Sequence, residues 1–420
     1  MHATLLNLAV LLAVVSGPAN TRAADCKFTV GVVMELTGTA GEYGQAAAKS
    51  VEMAFRDLND AGGVHGCRLT ADIKDSESQA SVAVDAANQL VQLERVPVII
   101  GSIISAVTIP ILTSVTAPAK VLLVSPAASS PKLTALAREG KTQGLFFRTI
   151  TSYALQGTAA AKYALDRGLR RLAVIYVNND FGTDLYAEFA KAFKAQGGVI
   201  VSAVRYNERQ SSYGSEATSA MAEPGDGLYL ISTPVDGATI ARAWISAGGA
   251  RRFLLNDGMN SADFIASVGA KYLGEAYGTS SGTSPTASTR YFNEQYPAFA
   301  HKDPASPAAD RAYDAAAITG LAIAAAAHAD AAGIRAAIFK VTDPQGTPIH
   351  AGREEFAKGL ALLQSGRPIR YEGVIGPVSF DAQGDITGPF RLWKIVGGVV
   401  TTQGEMSAAE VATLKAKLGS

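Results

Sequence analysis

FTVGVVMELTGTAGEYGQAAAKSVEMAFRDLNDAGGVHGCRLTADIKD, Phe28 to Asp75, is the stretch whose reading decides the fold. Its opening residues, 28–36, form an almost unbroken run of β-branched and apolar side chains, which suits a strand buried on both faces. From Tyr43 to Gly63 the apolar residues return at helical spacing, with Ala47, Val51, Ala54, Phe55 and Leu58 on one stripe. Gly62-Gly63 then stops the helix, and 67–75 reads as a second strand. Strand, long amphipathic helix and strand make a βαβ unit, whose right-handed crossover sets the two strands parallel and side by side.

The alternation continues along the chain. Strands are expected at 96–101, 121–126, 171–178, 199–206, 227–233 and 252–257, and a further amphipathic helix at 78–94. With the first two strands these fall into two groups of four, separated by the loop 131–144 and the extended FFRTI at 146–150. Two doubly wound parallel-sheet lobes of an α/β protein explain the grouping better than one eight-stranded sheet. After Tyr277 come helices at about 286–300, 308–330, 331–340 and 353–365, then final strands at 371–381 and 389–400. Helices that follow the second lobe and cover the first require the chain to cross back. The expected division is 24–147 with 280–370 for lobe 1, 148–279 with 371–405 for lobe 2, and a short C-terminal helix within 406–420.

Length and composition agree, since 420 residues exceed one ordinary core. The chain is 48% hydrophobic and 18% charged, and its 37 basic and 37 acidic residues cancel. That balance argues against a nucleic acid or an acidic membrane held by net charge. Leu5 to Val15 is an apolar run too short to span a membrane, followed by Ser16, Gly17, Pro18 and small residues up to Ala23-Ala24. It reads as a secretory signal peptide, residues 1–23, cleaved after Ala23. Cys26 precedes the first strand and Cys67 opens the second, so adjacent parallel strands bring the two together, and in an exported chain they are expected to form a disulfide.

In open α/β sheets ligands sit beyond the carboxyl ends of the strands. The sequence places LTGTAGEYG (36–44), GSIISAVT (101–108), SPAASSP (125–131), NNDFG (178–182), STPVDG (232–237) and NDGMNS (256–261) there. Glycines and short hydroxyls dominate, with acids among them; such corners supply backbone N–H groups at helix starts and hydroxyls, which suits an anionic carboxylate or phosphate. Ser102 and Ser105 read as hydrogen-bond donors to a bound anion; the plain alternative is that Ser105 caps its helix. Asp257, at a strand end, is placed to meet a cation. None of the five histidines follows one of the first eight strands, and no dinucleotide or P-loop motif occurs. Gly278 to Gly282 matches the G-x-S-x-G spacing of a hydrolase elbow, but Thr283, Ser284 and Pro285 stand where a helix must follow. No metal-ligand spacing is present, and Asp72 and Asp75 read as structural.

With these residues in place, the chain resembles the exported solute-binding proteins that feed branched-chain amino acid ABC transporters. The resemblance covers roughly 27–400. It rests on ELTGTAGEYGQAAAKSVEMAFRDLNDAGGVHGCRL (35–69), VIIGSIISAVTIP (98–110), VLLVSPAASSPKLT (121–134), IYVNNDFGTDLYAEFAKAFKAQGG (175–198) and YDAA (313–316) in the family's order. It implies a type I periplasmic-binding-protein fold with three crossover segments, and a monomeric periplasmic protein that is not an enzyme and needs no cofactor. Its partners would be a small amino acid, branched-chain or otherwise aliphatic, and a membrane permease. By the same resemblance Ser105, Ala127 and Ser129 hold the ligand's α-carboxylate and share its ammonium, and Ile103 adds a backbone contact. Tyr43 packs on the ligand from the first lobe. Phe181 takes the place of an aromatic usually written as tyrosine, Thr233 falls where some members have a tyrosine, and Asp257 stands for a longer Glu that pairs with the ammonium. Competing readings are a ligand-sensing module, a binding protein for a different small carboxylate or amide, and an exported hydrolase.

Overall fold

The structure, a computed structural model, describes residues 26–418; the expected signal peptide lies outside them. Five strands build the first sheet: β1 (Lys27–Met34), β2 (Arg68–Asp75), β3 (Val98–Gly101), β4 (Leu122–Ser125) and β5 (Phe146–Arg148). They run parallel in the order β2-β1-β3-β4-β5. The second sheet comprises β6 (Arg171–Val177), β7 (Val199–Tyr206), β8 (Gly227–Ile231), β9 (Arg252–Leu255) and β10 (Glu275–Ser281). A small sheet of β11 (Thr347–Ile349), β12 (Ile369–Gly373) and β13 (Gly376–Pro377) follows, and β14 (Phe390–Val396) and β15 (Val399–Met406) complete the second sheet. Its order is β15-β14-β10-β9-β8-β6-β7, and β14 and β15 form an antiparallel edge on an otherwise parallel sheet.

The opening stretch folds as its pattern demands. β1 pairs with β2 from Lys27–Arg68 to Met34–Asp75, and Val51, Ala54, Phe55 and Leu58 of the intervening helix, Gly41–Asp60, are buried. The helix ends where Gly63, at φ +72°, donates to the Leu58 carbonyl; a Cβ there would meet the Cys67 carbonyl oxygen at 2.3 Å. Directly beyond, Cys26 and Cys67 are bridged, with their Cα atoms 4.7 Å apart. A bond across 41 residues of sequence restricts the unfolded chain. Replacing both cysteines by serine is therefore expected to lower the unfolding free energy by about 2–4 kcal/mol. Urea titrations of the two forms check this, and coincident midpoints would refute it.

Each lobe has its own core. Helices Ala287–Ala300, Ala309–Ala325, Ala331–Val341 and Arg353–Gln364 contribute to the first core. The chain leaves that lobe later than residue 371. Tyr371, Val374, Val378, Phe380 and Ile386 are buried in the first core, because β12 and β13 form a hairpin against these helices and do not join the second sheet. Only from Phe390 does the backbone enter lobe 2. Residues 389–400, expected as one strand, are two: Gly397 and Gly398 both have positive φ (59° and 85°) and turn the chain into β15. β10 was not anticipated as a strand. The G-x-S-x-G spacing lies within it, and Gly278 is small because the Trp393 ring lies on it, 2.1 Å from where a Cβ would stand. No nucleophile elbow exists there. The C-terminal helix, Ala408–Lys417, buries Val411 against Phe390, Met406 and Ala159 of the second lobe.

Three segments join the lobes: 149–152, 282–286 and 378–389. They are laced together, since Thr151 bridges to Ile386 and Gly282 N–H donates to the Pro389 carbonyl at 2.6 Å.

Candidate functional site

The carboxyl ends of both sheets face one another across a cavity of about 510 Å³. On the first-lobe side its wall begins at the corner after β3. Gly101, at φ +133°, approaches β1 so closely that a Cβ would lie 1.9 Å from the Val33 carbonyl oxygen. The turn that follows is organised by Glu35, a fully buried carboxylate at the end of β1. Glu35 accepts hydrogen bonds from the Ser102 hydroxyl and from the Ile103 and Ile104 N–H groups, both at 3.1 Å. Burial pushes its pKa up, and the three donors oppose that rise.

The two serines of this corner part company. Ser102, expected to face an anion, turns its hydroxyl inward to Glu35 and is wholly buried. Ser105 lines the cavity. It does not cap its helix, Ser105–Ile111, being its first residue; its Oγ accepts from the Ser130 N–H at 3.1 Å and ties the β3 corner to the β4 corner. The hydroxyl hydrogen is thereby left to donate elsewhere. Ile103 and Ala127 also reach the wall. Ser129 does not: it is fully buried behind, donating to the Ala127 carbonyl at 3.0 Å.

From the second lobe come Phe181, Thr233 and Asp257. Phe181 opens the helix Asp180–Ala195 and leans on Tyr153, ring centroids 5.4 Å apart. Thr233 carries a buried hydroxyl with no partner in the protein. Asp257 begins a single 3₁₀ turn after β9. Burial raises its pKa, countered by hydrogen bonds from Asn256 and the Gly258 N–H and by the charge of Arg311. Tyr43 spans the gap, donating its hydroxyl to the Gly258 carbonyl. Other bonds close the cleft around it: Ser261 Oγ to Glu42 at 2.6 Å, Ser130 to Asp184, and Arg209 to the Glu77 carbonyl at 2.7 Å. The lobes are therefore clasped on more than one side of the cavity.

Seven of the eight expected contact residues thus share one wall, all but Ser129. Sequence reasoning missed Tyr153, Asn256, Ser280, Asp310, Arg311 and Arg391, which line it as well. Asn256 and Ser280 sit inside motifs that the sequence displays, NDGMNS and G-x-S-x-G, so a signal existed for them. Arg311 and Arg391 come from a helix and a strand at opposite ends of the final third of the chain, and no local pattern joins them. Among the described residues no group of three His, Cys, Asp or Glu is arranged to hold a metal ion, and no helix is long and apolar enough to cross a membrane.

Known proteins place this architecture. A family model described as "Periplasmic binding protein" matches residues 27–398. The chain is 27% identical over 380 residues to the Leu/Ile/Val-binding protein BraC3 of Rhizobium johnstonii, covering 90% of this chain and 94% of that one. It is also 27% identical over 362 residues to the chemotactic signal transduction system substrate-binding protein BasB of Halobacterium salinarum, covering 84% and 83%. Its fold matches that of the branched-chain amino acid transporter substrate-binding protein LivJ of Streptococcus pneumoniae, solved with isoleucine, at a TM-score of 0.75 and 21% identity over 91% of this chain and 99% of that one. The chain belongs to the periplasmic binding protein family, as a type I member of its branched-chain amino acid branch.

Proposed function

We propose that the protein captures a small amino acid in the interlobe cavity by hinge closure and delivers it, as an exported periplasmic monomer, to the permease of an ABC transporter. The observation that carries this reading is the pairing of opposite chemistries across the cavity. The first lobe offers the Ser105 hydroxyl and the neighbouring corner, suited to a carboxylate, and the second offers the Asp257 carboxylate, suited to an ammonium. Ala127 and Ile103 contribute backbone groups to the first, and Tyr43 and Phe181 cover the ligand. Ser129 acts from behind by holding the Ala127 carbonyl. A zwitterion in a cavity from which water leaves needs both of its charges paired, and only the closed arrangement supplies both partners.

Calorimetric titration of the refolded protein against the twenty amino acids tests the reading. Binding of at least one is expected, and Asp257→Ala should weaken it by at least about 2 kcal/mol, roughly 30-fold in Kd, because a buried ammonium loses its partner. Unchanged affinity in that variant removes Asp257 from the site.

A second reading has support of its own. BasB, the relative named for chemotactic signal transduction, is as similar to this chain as BraC3 is. A sensing role would use the same closed state, presented to a receptor in place of a permease. Catalysis has no comparable support, since the G-x-S-x-G residues lie mid-strand and no histidine lines the cavity.

A further inference from the structure

Four buried polar atoms with no partner in the protein belong to residues of this one cavity: Thr233 Oγ1, Ser280 Oγ, Arg311 Nε and Arg391 Nε. The two arginines are in different situations. Arg311 is engaged: its Nη1 meets both oxygens of Asp310, at 2.8 and 2.7 Å, and its Nη2 meets the Ser281 carbonyl. Among the described residues Arg391 forms no ion pair, and its buried Nε has no acceptor. In the sheet it lies opposite Ser280 on β10 and opposite Glu405 on β15. Glu405 is exposed and makes no ion pair with it. Asp310 is the acid whose charge Arg391 feels most, but both of its oxygens are held by Arg311.

A guanidinium does not give up its proton, so Arg391 cannot relieve its burial by becoming neutral. Once the cleft closes it needs an anion. A neutral amino acid has a single carboxylate. If that group takes the Ser105 corner and the ammonium takes Asp257, Arg391 is left bare in a dewatered cavity, an arrangement that costs affinity.

We infer that the ligand carries a second carboxylate that seats on Arg391, with the Ser280 hydroxyl beside it, so that the substrate class is acidic α-amino acids in place of aliphatic ones. The inference rests on the amino-acid reading above and specifies its ligand. The planar fork of arginine suits a carboxylate held through two hydrogen bonds.

Calorimetry on the full exported chain decides it, with leucine, aspartate, glutamate and 2-aminoadipate as probes. At least one acidic amino acid is expected to bind far more tightly than leucine. Arg391→Gln should weaken that ligand by roughly 30-fold or more while changing leucine by less than about threefold. Arg391→Lys, which keeps the charge and loses the fork, should fall between, and it serves if the glutamine variant does not fold. Tight leucine binding without an acidic preference overturns the inference and leaves the capture reading standing. Equal losses for acidic and neutral amino acids in Arg391→Gln also overturn it, since they would place the α-carboxylate on Arg391. If no α-amino acid binds, the capture reading fails first and the inference falls with it.

Discussion

Asp314→Ala is expected to lower the unfolding free energy by about 3–5 kcal/mol, because three buried neutral donors lose their shared acceptor. Asp314 lies in the helix Ala309–Ala325 and has no exposed surface. One of its oxygens accepts from the Tyr371 hydroxyl and the Val374 N–H, both at 2.8 Å, and the other from the Ile375 N–H at 2.9 Å. These bonds shape the turn between β12 and β13, and Gly373 leaves room for them: a Cβ there would lie 2.5 Å from the carboxylate. Alanine would orphan three buried donors at once, each costly away from water. The turn also carries Val374 into the cavity wall, and its Ile375 carbonyl accepts from Ser284 in the second crossover. Ligand affinity should therefore fall together with stability.

The same residue carries a pH signature. Burial raises the Asp314 pKa to about 7, above the ordinary carboxylate value that the unfolded chain would show. A group bound more tightly by protons in the folded state contributes stability fully below the unfolded pKa and loses it as pH rises through the folded one. This contribution should accordingly decline between about pH 4 and pH 7. In Asp314→Asn that component disappears, so the stability gap between the two proteins should shrink as pH rises across this window. Urea unfolding at several pH values measures it, and a gap independent of pH would refute the assignment.

Arg148→Met is the second large effect, again about 3–5 kcal/mol. Arg148 ends β5 immediately before the first crossover and is completely buried. Its Nε meets Asp385 at 2.6 Å, its Nη1 meets the Ala128 and Ser130 carbonyls at 3.0 Å each, and its Nη2 meets Thr134 Oγ1 at 2.8 Å. Thr134 in turn donates to the other Asp385 oxygen at 2.6 Å. One guanidinium thus joins the β4 corner, the first crossover and the third. Methionine replaces its volume but strands the Asp385 carboxylate and two carbonyls. The double variant Arg148→Met with Asp385→Asn should recover part of the loss, because coupled partners are not additive. A loss below about 1 kcal/mol in Arg148→Met would show the network to be dispensable.

The first-lobe corners that face the cavity are shaped by buried charged side chains set behind them. Glu35 sets the Ser102–Ile104 corner, Arg148 holds the Ala128 and Ser130 carbonyls, and Asp314 sets the turn that carries Val374.

Much of this molecule is readable from sequence because its signals are local. Strand and helix periods, the Gly62-Gly63 stop and the βαβ adjacency that brings Cys26 to Cys67 all depend on residues close along the chain, or on a crossover with only one favoured hand. The strand-end rule likewise gathers Ser105 and Asp257 from segments that never meet in sequence, and the family resemblance adds Ala127, Phe181 and Thr233 within those corners. Tertiary structure alone decided the remainder. Whether Ser102 or Ser105 faced the cavity turned on a carboxylate 67 residues away from Ser102. The return to lobe 2 moved to Phe390 because a hairpin found a better apolar partner in the first core than at a sheet edge. Arg391 became an unpaired charge in the interlobe cavity only because β14 lies against β10 and Asp310 is already held by Arg311. The sequence by itself determined most of the alternating strands and helices, and that the strand ends would gather at one place. Only the folded chain decided which charges were left unpaired there, because that depends on which partners, distant in sequence, bond to one another first.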